Sequence, residues 1–367
     1  MAENQNESGT ETPQPAPVLH VAPSPHVFDS SQTTQKMMID VLVALGPAVV
    51  WSVYNFKLFA VMQILICTTS ALIAEGLFTA MRGRRMTLGD CSAAVTGLIL
   101  ALSLPGMAPW YVGVIGAFVA IGIGKVVFGG LGQNIFNPAM VGRAFVMLAF
   151  AGAVGANGYV FKTEAPATQP APATRAVRAA DPNDAITQAT PMTLVKTAAA
   201  KLAADEELTS AEKNPPSLAR VLVGKVNGSL GEVSALACLL GGIYLLLRRT
   251  ITWHIPVGMI AAAGAIGAVA QLAGSPISVG YHLSGGALLF GAFFIATDLV
   301  TTPLTSKGKL IFGVGTGLLV MLFRTLSNYP EGVMFAVLIM NALTPLINNW
   351  TVPKPLGGPV PEPAARK

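Results

Sequence analysis

In the stretch "DAITQAT", Asp184 precedes Thr187 by three residues and Thr190 by six, with Gln188 and the small Ala189 between the two hydroxyls. A threonine hydroxyl can form an ester, but it is too weak a nucleophile to do so unaided at neutral pH. Taken alone, the same residues read as a loop with a helix N-cap at Thr190 or Thr193. A second set of chemically able residues lies inside apolar runs: Glu75, Lys125, Arg143, Asp298 and Arg324. An ionisable group at mid-helix costs about 2.5 to 3.5 kcal/mol on insertion scales, so each is a functional candidate by default.

The elements that must position these groups are membrane helices. Of the 367 residues, 52% are hydrophobic and 11% charged, against roughly 25% charged in a soluble domain. A bilayer core takes about 20 apolar residues per helix. Runs of that kind are expected at 37–54, 57–79, 89–104, 109–128, 138–155, 231–247, 252–272, 284–300, 309–325 and 332–349. The fold class is therefore all-α and polytopic, with about ten transmembrane helices. Residues 1–35 are polar and proline-rich, with no basic and apolar signal-peptide regions, and read as a tail. Residues 36–155 and 231–350 hold five runs each, 156–230 form an insert, and 351–367 form a second tail.

Charge placement orients the chain. Arg82, Arg84 and Arg85, then Arg248 and Arg249, then Lys307 and Lys309 follow the second, sixth and eighth runs. All three clusters are cytoplasmic if both termini are, as the positive-inside rule asks. The insert follows an odd number of crossings and so is extracytoplasmic. It carries 15 of the 41 Lys, Arg, Asp and Glu residues, which makes it water-facing. The net charge of +5 sits in these short clusters rather than among aromatics, which argues against nucleic acid. Five runs on each side of the insert imply a duplication, and an odd number per copy inverts the second copy. Weak echoes, such as "GLILALSLPG" from Gly97 and "GAFFIATDLVTTP" from Gly291, support it.

"DAITQAT" resembles the flavinylation sequence Asp-x-x-Ser/Thr-Gly-Ala-Thr, with Gln188 standing where glycine is usual. In that sequence a dedicated flavin transferase joins FMN through its phosphate to the last threonine, here Thr190, while Asp184, Thr187 and Ala189 match the rest. The segments "SPHVFDSSQTTQKMMIDVLVALGPA", "GQNIFNPAMVGRAFVMLAF" and "FFIATDLVTTPLTSKGKLIFG" closely resemble the D subunit of the Rnf complex. They are less similar to its relative, the B subunit of the sodium-pumping NADH:quinone oxidoreductase. The resemblance covers residues 24–349 and implies a subunit of a multi-subunit ferredoxin:NAD oxidoreductase in the bacterial inner membrane. Electron flow would be coupled there to sodium or proton movement. It also implies covalent FMN, a second non-covalent flavin of the riboflavin type, partner subunits and a flavin transferase for maturation, with lipid around the helices. No nicotinamide or iron-sulfur motif is visible, so the protein is expected to turn over nothing alone. A solute channel or transporter with inverted repeats is the rival from another class, and it predicts no chromophore.

Among the intramembrane groups, Asp298 stands beside Thr297, Thr301 and Thr302 and suits an ion or a flavin ring, or else a water-exposed helix end. Arg143, one turn after Asn137 and Pro138, suits a flavin, a neighbouring subunit or an interhelical pair. "GVGTG" from Gly313 lacks a preceding strand and reads as close helix packing rather than a nucleotide loop. Cys67, Cys91 and Cys238 form no CxxC pair and no metal spacing. They read as small core residues, though the spacing leaves open a cluster shared with another subunit. His254 and His282 have no partner at a haem-ligating spacing.

Overall fold

The computed structural model describes residues 33–83, 87–106, 108–154, 195, 197–198, 201, 217–224, 228–232, 234–275, 277–326 and 332–353. Asp184, Thr187, Ala189 and Thr190, and most of the 156–230 insert, lie outside the described residues. The first half contains α1 (Thr34–Phe56), α2 (Leu58–Met81), α3 (Ser92–Ser103), α4 (Trp110–Ile121) and α5 (Pro138–Ala149). Late in the insert comes α6 (Leu218–Val223), and after it α7 (Ala235–Leu247), α8 (His254–Leu272), α9 (Val279–Ser284), α10 (Leu288–Phe290), α11 (Ser306–Leu326) and α12 (Val333–Thr351). No strand occurs among the described residues. The helices match the expected apolar runs in order, with two differences: the run at 138–155 breaks at Phe150, after which Ala151–Val154 forms a separate turn of helix, and the run at 284–300 is not a continuous helix. It breaks at 285–287, is helical from Leu288 to Ile295 and then continues as irregular chain through "ATDLVTTP".

Among the described residues, five helices are long and apolar enough to cross a membrane, namely α1, α2, α8, α11 and α12, and four further apolar helices are shorter. Their outward faces carry large apolar side chains, such as Val50, Leu272 and Leu326, which suit a lipid solvent and not water. Local signals fix several starts. The Thr33 side chain accepts from the Lys36 amide at 3.2 Å to open α1. Asn137 accepts from the Met140 amide at 3.3 Å, and Pro138 fills the first position of α5, where its missing N–H costs nothing.

Helices approach closely where glycine removes the side chain. In the first half α2 packs on α3 and α4, and α4 on α5; in the second, α8 packs on α11 and α11 on α12. A β-carbon at Gly313 would lie 2.6 Å from the Ile255 carbonyl oxygen, and one at Gly317 would lie 2.5 Å from that of Met259. "GVGTG" is thus a packing face for α8, as small residues at membrane helix contacts imply. Gly241 similarly brings α7 onto the backbone of α1 at Ala44, joining the halves.

The chain that leaves the insert also docks on the first half. The Leu230 amide donates to the Leu104 carbonyl at 3.1 Å and the Gly231 amide to that of Leu102 at 2.7 Å. The Ser52 hydroxyl in α1 donates to the Leu230 carbonyl at 2.5 Å. These bonds satisfy backbone groups that the end of α3 would otherwise bury unpaired.

Candidate functional site

Two π-helical segments, one in each half, line the same cavity. Gly122–Val126 extends α4, and Gly291–Ile295 extends α10. π-helical turns are rare and frequently occur at functional sites. Lys125 comes from the first segment and Phe293 and Phe294 from the second, and all three line a chamber between the halves. Each segment runs on into irregular chain that lines the chamber too. Asn134 and Asn137 come from the first stretch, Thr297 and Asp298 from the second, while α3 adds Ser92 and Thr96. Non-helical backbone at membrane depth is tolerated where protein buries it or where it borders a cavity.

The chamber contains about 690 Å³ of empty space, part of it open, and only about 60 Å³ of it admits the centre of a water molecule. It is therefore narrow. Asn137 holds the two halves together at its wall, since its side-chain amide donates to the Ile295 carbonyl at 3.2 Å while its oxygen caps α5. Asp298 accepts from the Thr301 hydroxyl at 3.0 Å and the Val300 amide at 3.3 Å. Its own carbonyl accepts from Thr302 at 2.8 Å. Asn134 Oδ1 is buried and has no hydrogen-bond partner. A buried acceptor left unpaired costs about 1–3 kcal/mol, so this atom is poised for a donor that a ligand or water would bring.

The other intramembrane charges are paired. Lys125 Nζ lies 2.5 Å from Glu75 Oε1 and 2.5 Å from Ser92 Oγ. Thr87 donates to the same Glu75 oxygen at 2.7 Å. Arg143 in α5 meets Glu232, which precedes α7, at 3.0 Å, both being buried. Arg143 thus serves as a pair between the halves and is not among the residues that line the chamber. Arg324 donates to the carbonyls of His282 and Gly285 at 2.5 and 2.8 Å, clamping the turn that follows α9.

Several of these residues were not singled out from the sequence. Asp40, in α1, accepts from Arg248 at 3.1 and 3.2 Å and from Thr250 at 3.2 Å, which ties α1 to the end of α7. A lone acid inside "MMIDVLVAL" was the signal for it. Glu232 is the second residue of the run expected at 231–247, where an acid reads as a helix end, and Ser92 and Asn134 are ordinary polar residues.

Comparison with known proteins places this architecture. The family described as NQR2, RnfD, RnfE matches residues 20–357. The chain is 37% identical over 346 residues to the D subunit of the proton-translocating ferredoxin:NAD(+) oxidoreductase complex of Clostridium ljungdahlii, covering 93% of this chain and 96% of that one. It is 36% identical to the D subunit of the Na(+)-translocating ferredoxin:NAD(+) oxidoreductase complex of Acetobacterium woodii, with 91% and 93% covered. It is also 40% identical to the D subunit of the ion-translocating oxidoreductase complex of Halorhodospira halophila, with 88% and 91% covered. With the whole membrane part and both irregular segments inside the match, the chain belongs to the NQR2, RnfD, RnfE family.

Proposed function

We propose that the protein is the membrane electron-transfer subunit of an Rnf-type ferredoxin:NAD oxidoreductase, coupling electron flow to sodium or proton movement, with FMN esterified to Thr190. The observation that carries this reading is the similarity, over about nine-tenths of each chain, to D subunits of such complexes. That similarity favours the Rnf type over the B subunit of the quinone reductase. The relatives from Clostridium ljungdahlii and Acetobacterium woodii move different ions at nearly equal identity to this chain, so overall similarity leaves the ion undecided between them.

In this reading the chain crosses the membrane ten times as two inverted five-helix repeats. The matching order of packing partners in the two halves supports that arrangement. Thr190 is then extracytoplasmic, with Asp184, Thr187 and Ala189 as the peptide a flavin transferase reads. A flavin supplies one- and two-electron transfer, and the protein supplies binding, orientation and electrostatics.

The chamber fits a second, non-covalent flavin. A mostly apolar cavity with a few convergent polar groups is the general form of a cofactor site. Here Phe293 and Phe294 offer aromatic faces, and Asn134 Oδ1 offers the unpartnered acceptor that a ring N–H requires. Because the space is narrow, the chamber would have to widen to admit a ring. Asp298 at the chamber wall would contact either the ring or the coupling ion, and Arg143 would act at one remove by fixing α5, which starts beside the chamber.

Denaturing electrophoresis under ultraviolet light tests the assignment. With the flavin transferase co-expressed, the wild-type band fluoresces and the Thr190→Ala band is dark. Flavin released by acid from the native Thr190→Ala complex persists, and it falls in Asn134→Leu. A dark wild-type band refutes the covalent flavin and favours the channel or transporter class.

A further inference from the structure

Lys125 borders two cavities at once. On one side is the chamber; on the other is a crevice with about 1110 Å³ of empty space, open to the outside and lined in part by Thr79, Arg82, Thr87 and Asp90. Lys125 and Leu131 are common to both linings. The crevice opens beside Arg82, next to Arg84 and Arg85 in sequence, which is the cytoplasmic end by the positive-inside rule.

The backbone at Lys125 is pinned while its side chain has alternatives. The Gly130 amide donates to the Lys125 carbonyl at 3.1 Å, and the Arg82 guanidinium donates to the Val126 carbonyl. The ammonium itself sits between the two spaces, held by Glu75, which lines the crevice, and by Ser92, which lines the chamber. Acceptors also exist on the chamber side: Asn134 Oδ1 has no partner, and Asp298 lines the same space. Lysine is a compact charge on a flexible four-carbon stem, the kind of side chain that can change partners while its backbone stays in place. Glu75 Oε2 is buried and without a partner, so the carboxylate retains an acceptor for water when the ammonium leaves.

We propose that Lys125 is a swinging partition: bound to Glu75 and Ser92 it closes the chamber from the cytoplasmic crevice, and turned toward Asn134 and Asp298 it joins the two into one water-filled space. This goes beyond the flavin assignment and does not depend on it. The two arrangements differ in the position of one charge, which makes them separable states whose populations a substitution can shift.

Cysteine accessibility in the assembled complex tests it. Thr96→Cys lines only the chamber, and Thr79→Cys lines only the crevice. Inverted membrane vesicles are treated with a membrane-impermeant cationic methanethiosulfonate, and labelling at each position is read by mass spectrometry. With Lys125 present, position 79 labels fast and position 96 slowly. In Glu75→Gln, which keeps the lysine and weakens its hold, labelling at 96 rises severalfold because its rate follows the population of the open arrangement, and an unchanged rate there overturns the swing. In Lys125→Ala, which removes the partition itself, it rises by about tenfold or more, while labelling at 79 is unchanged. If that variant does not assemble because Glu75 is left unpaired, Glu75→Gln with Lys125→Ala is read instead. Equal labelling of 79 and 96 in the parent overturns the partition. An unchanged rate at 96 in the assembled lysine variant overturns it as well.

Discussion

Removing one partner of the Arg143–Glu232 pair should cost far more than removing both. The two side chains are 8% and 2% exposed and lie 3.0 Å apart. A pair this buried has already lost its hydration, so Arg143→Met strands a carboxylate in a medium that solvates it poorly. Breaking such a pair costs about 3–5 kcal/mol, whereas replacing both members by apolar residues is often neutral or better. Arg143→Met with Glu232→Leu should therefore recover most of the loss, giving a coupling energy well above the 1 kcal/mol or so of an exposed pair. The assay is equilibrium unfolding of the purified protein in mixed detergent micelles, read by tryptophan fluorescence, for the wild type, the two single variants and the double variant. Because the pair joins α5 to the segment ahead of α7, the single variants should also lose the cooperativity of unfolding between halves. A loss below about 1 kcal/mol in Arg143→Met, or a double variant as unstable as the sum of the singles, refutes the argument.

Other outcomes follow from the same geometry. Asn137→Ala removes a helix cap and a bond between the halves, so a loss of about 1–3 kcal/mol in the same unfolding assay is expected. Gly317→Leu should prevent assembly on a native gel, because its side chain would run into the α8 backbone, whereas Gly46→Ala, which meets nothing within 4 Å, should assemble normally. Arg324→Met strips the donors from two buried carbonyls and should speed proteolysis at the turn after α9, with Arg324→Lys restoring only part of the protection. Each is checked against wild-type membranes expressed in parallel.

What was legible in the sequence was the part written in composition. Apolar runs gave the helices and their order, and the glycines of "GVGTG" gave a close contact that the structure places on α8. The chamber was harder, because a π turn has the same hydropathy as the helix it extends, and nothing in "GIGKV" or "GAFFI" marks the extra residue per turn. Pairing was harder still. Glu75 and Lys125 were both conspicuous as intramembrane charges, but they are 50 residues apart, and no periodicity links positions on different helices. The break within 284–300 was written locally, in the threonines and proline of "ATDLVTTP", and a run defined by hydropathy alone passes over it.

The seam between Leu102–Leu104 and Leu230–Gly231 has a consequence for how this protein tolerates change. It fixes the return of the chain against α3, while Asn55 in α1 reaches the Gly224 carbonyl at 3.3 Å. Ahead of the insert the chain is held at the end of α5, where the Phe150 amide donates to the Val146 carbonyl at 2.9 Å. A segment anchored at both ends behaves as a closed loop, and doubling the length of such a loop costs only about 0.6 kcal/mol. The number of residues between these two anchor points can therefore change with little penalty to the helices that hold them.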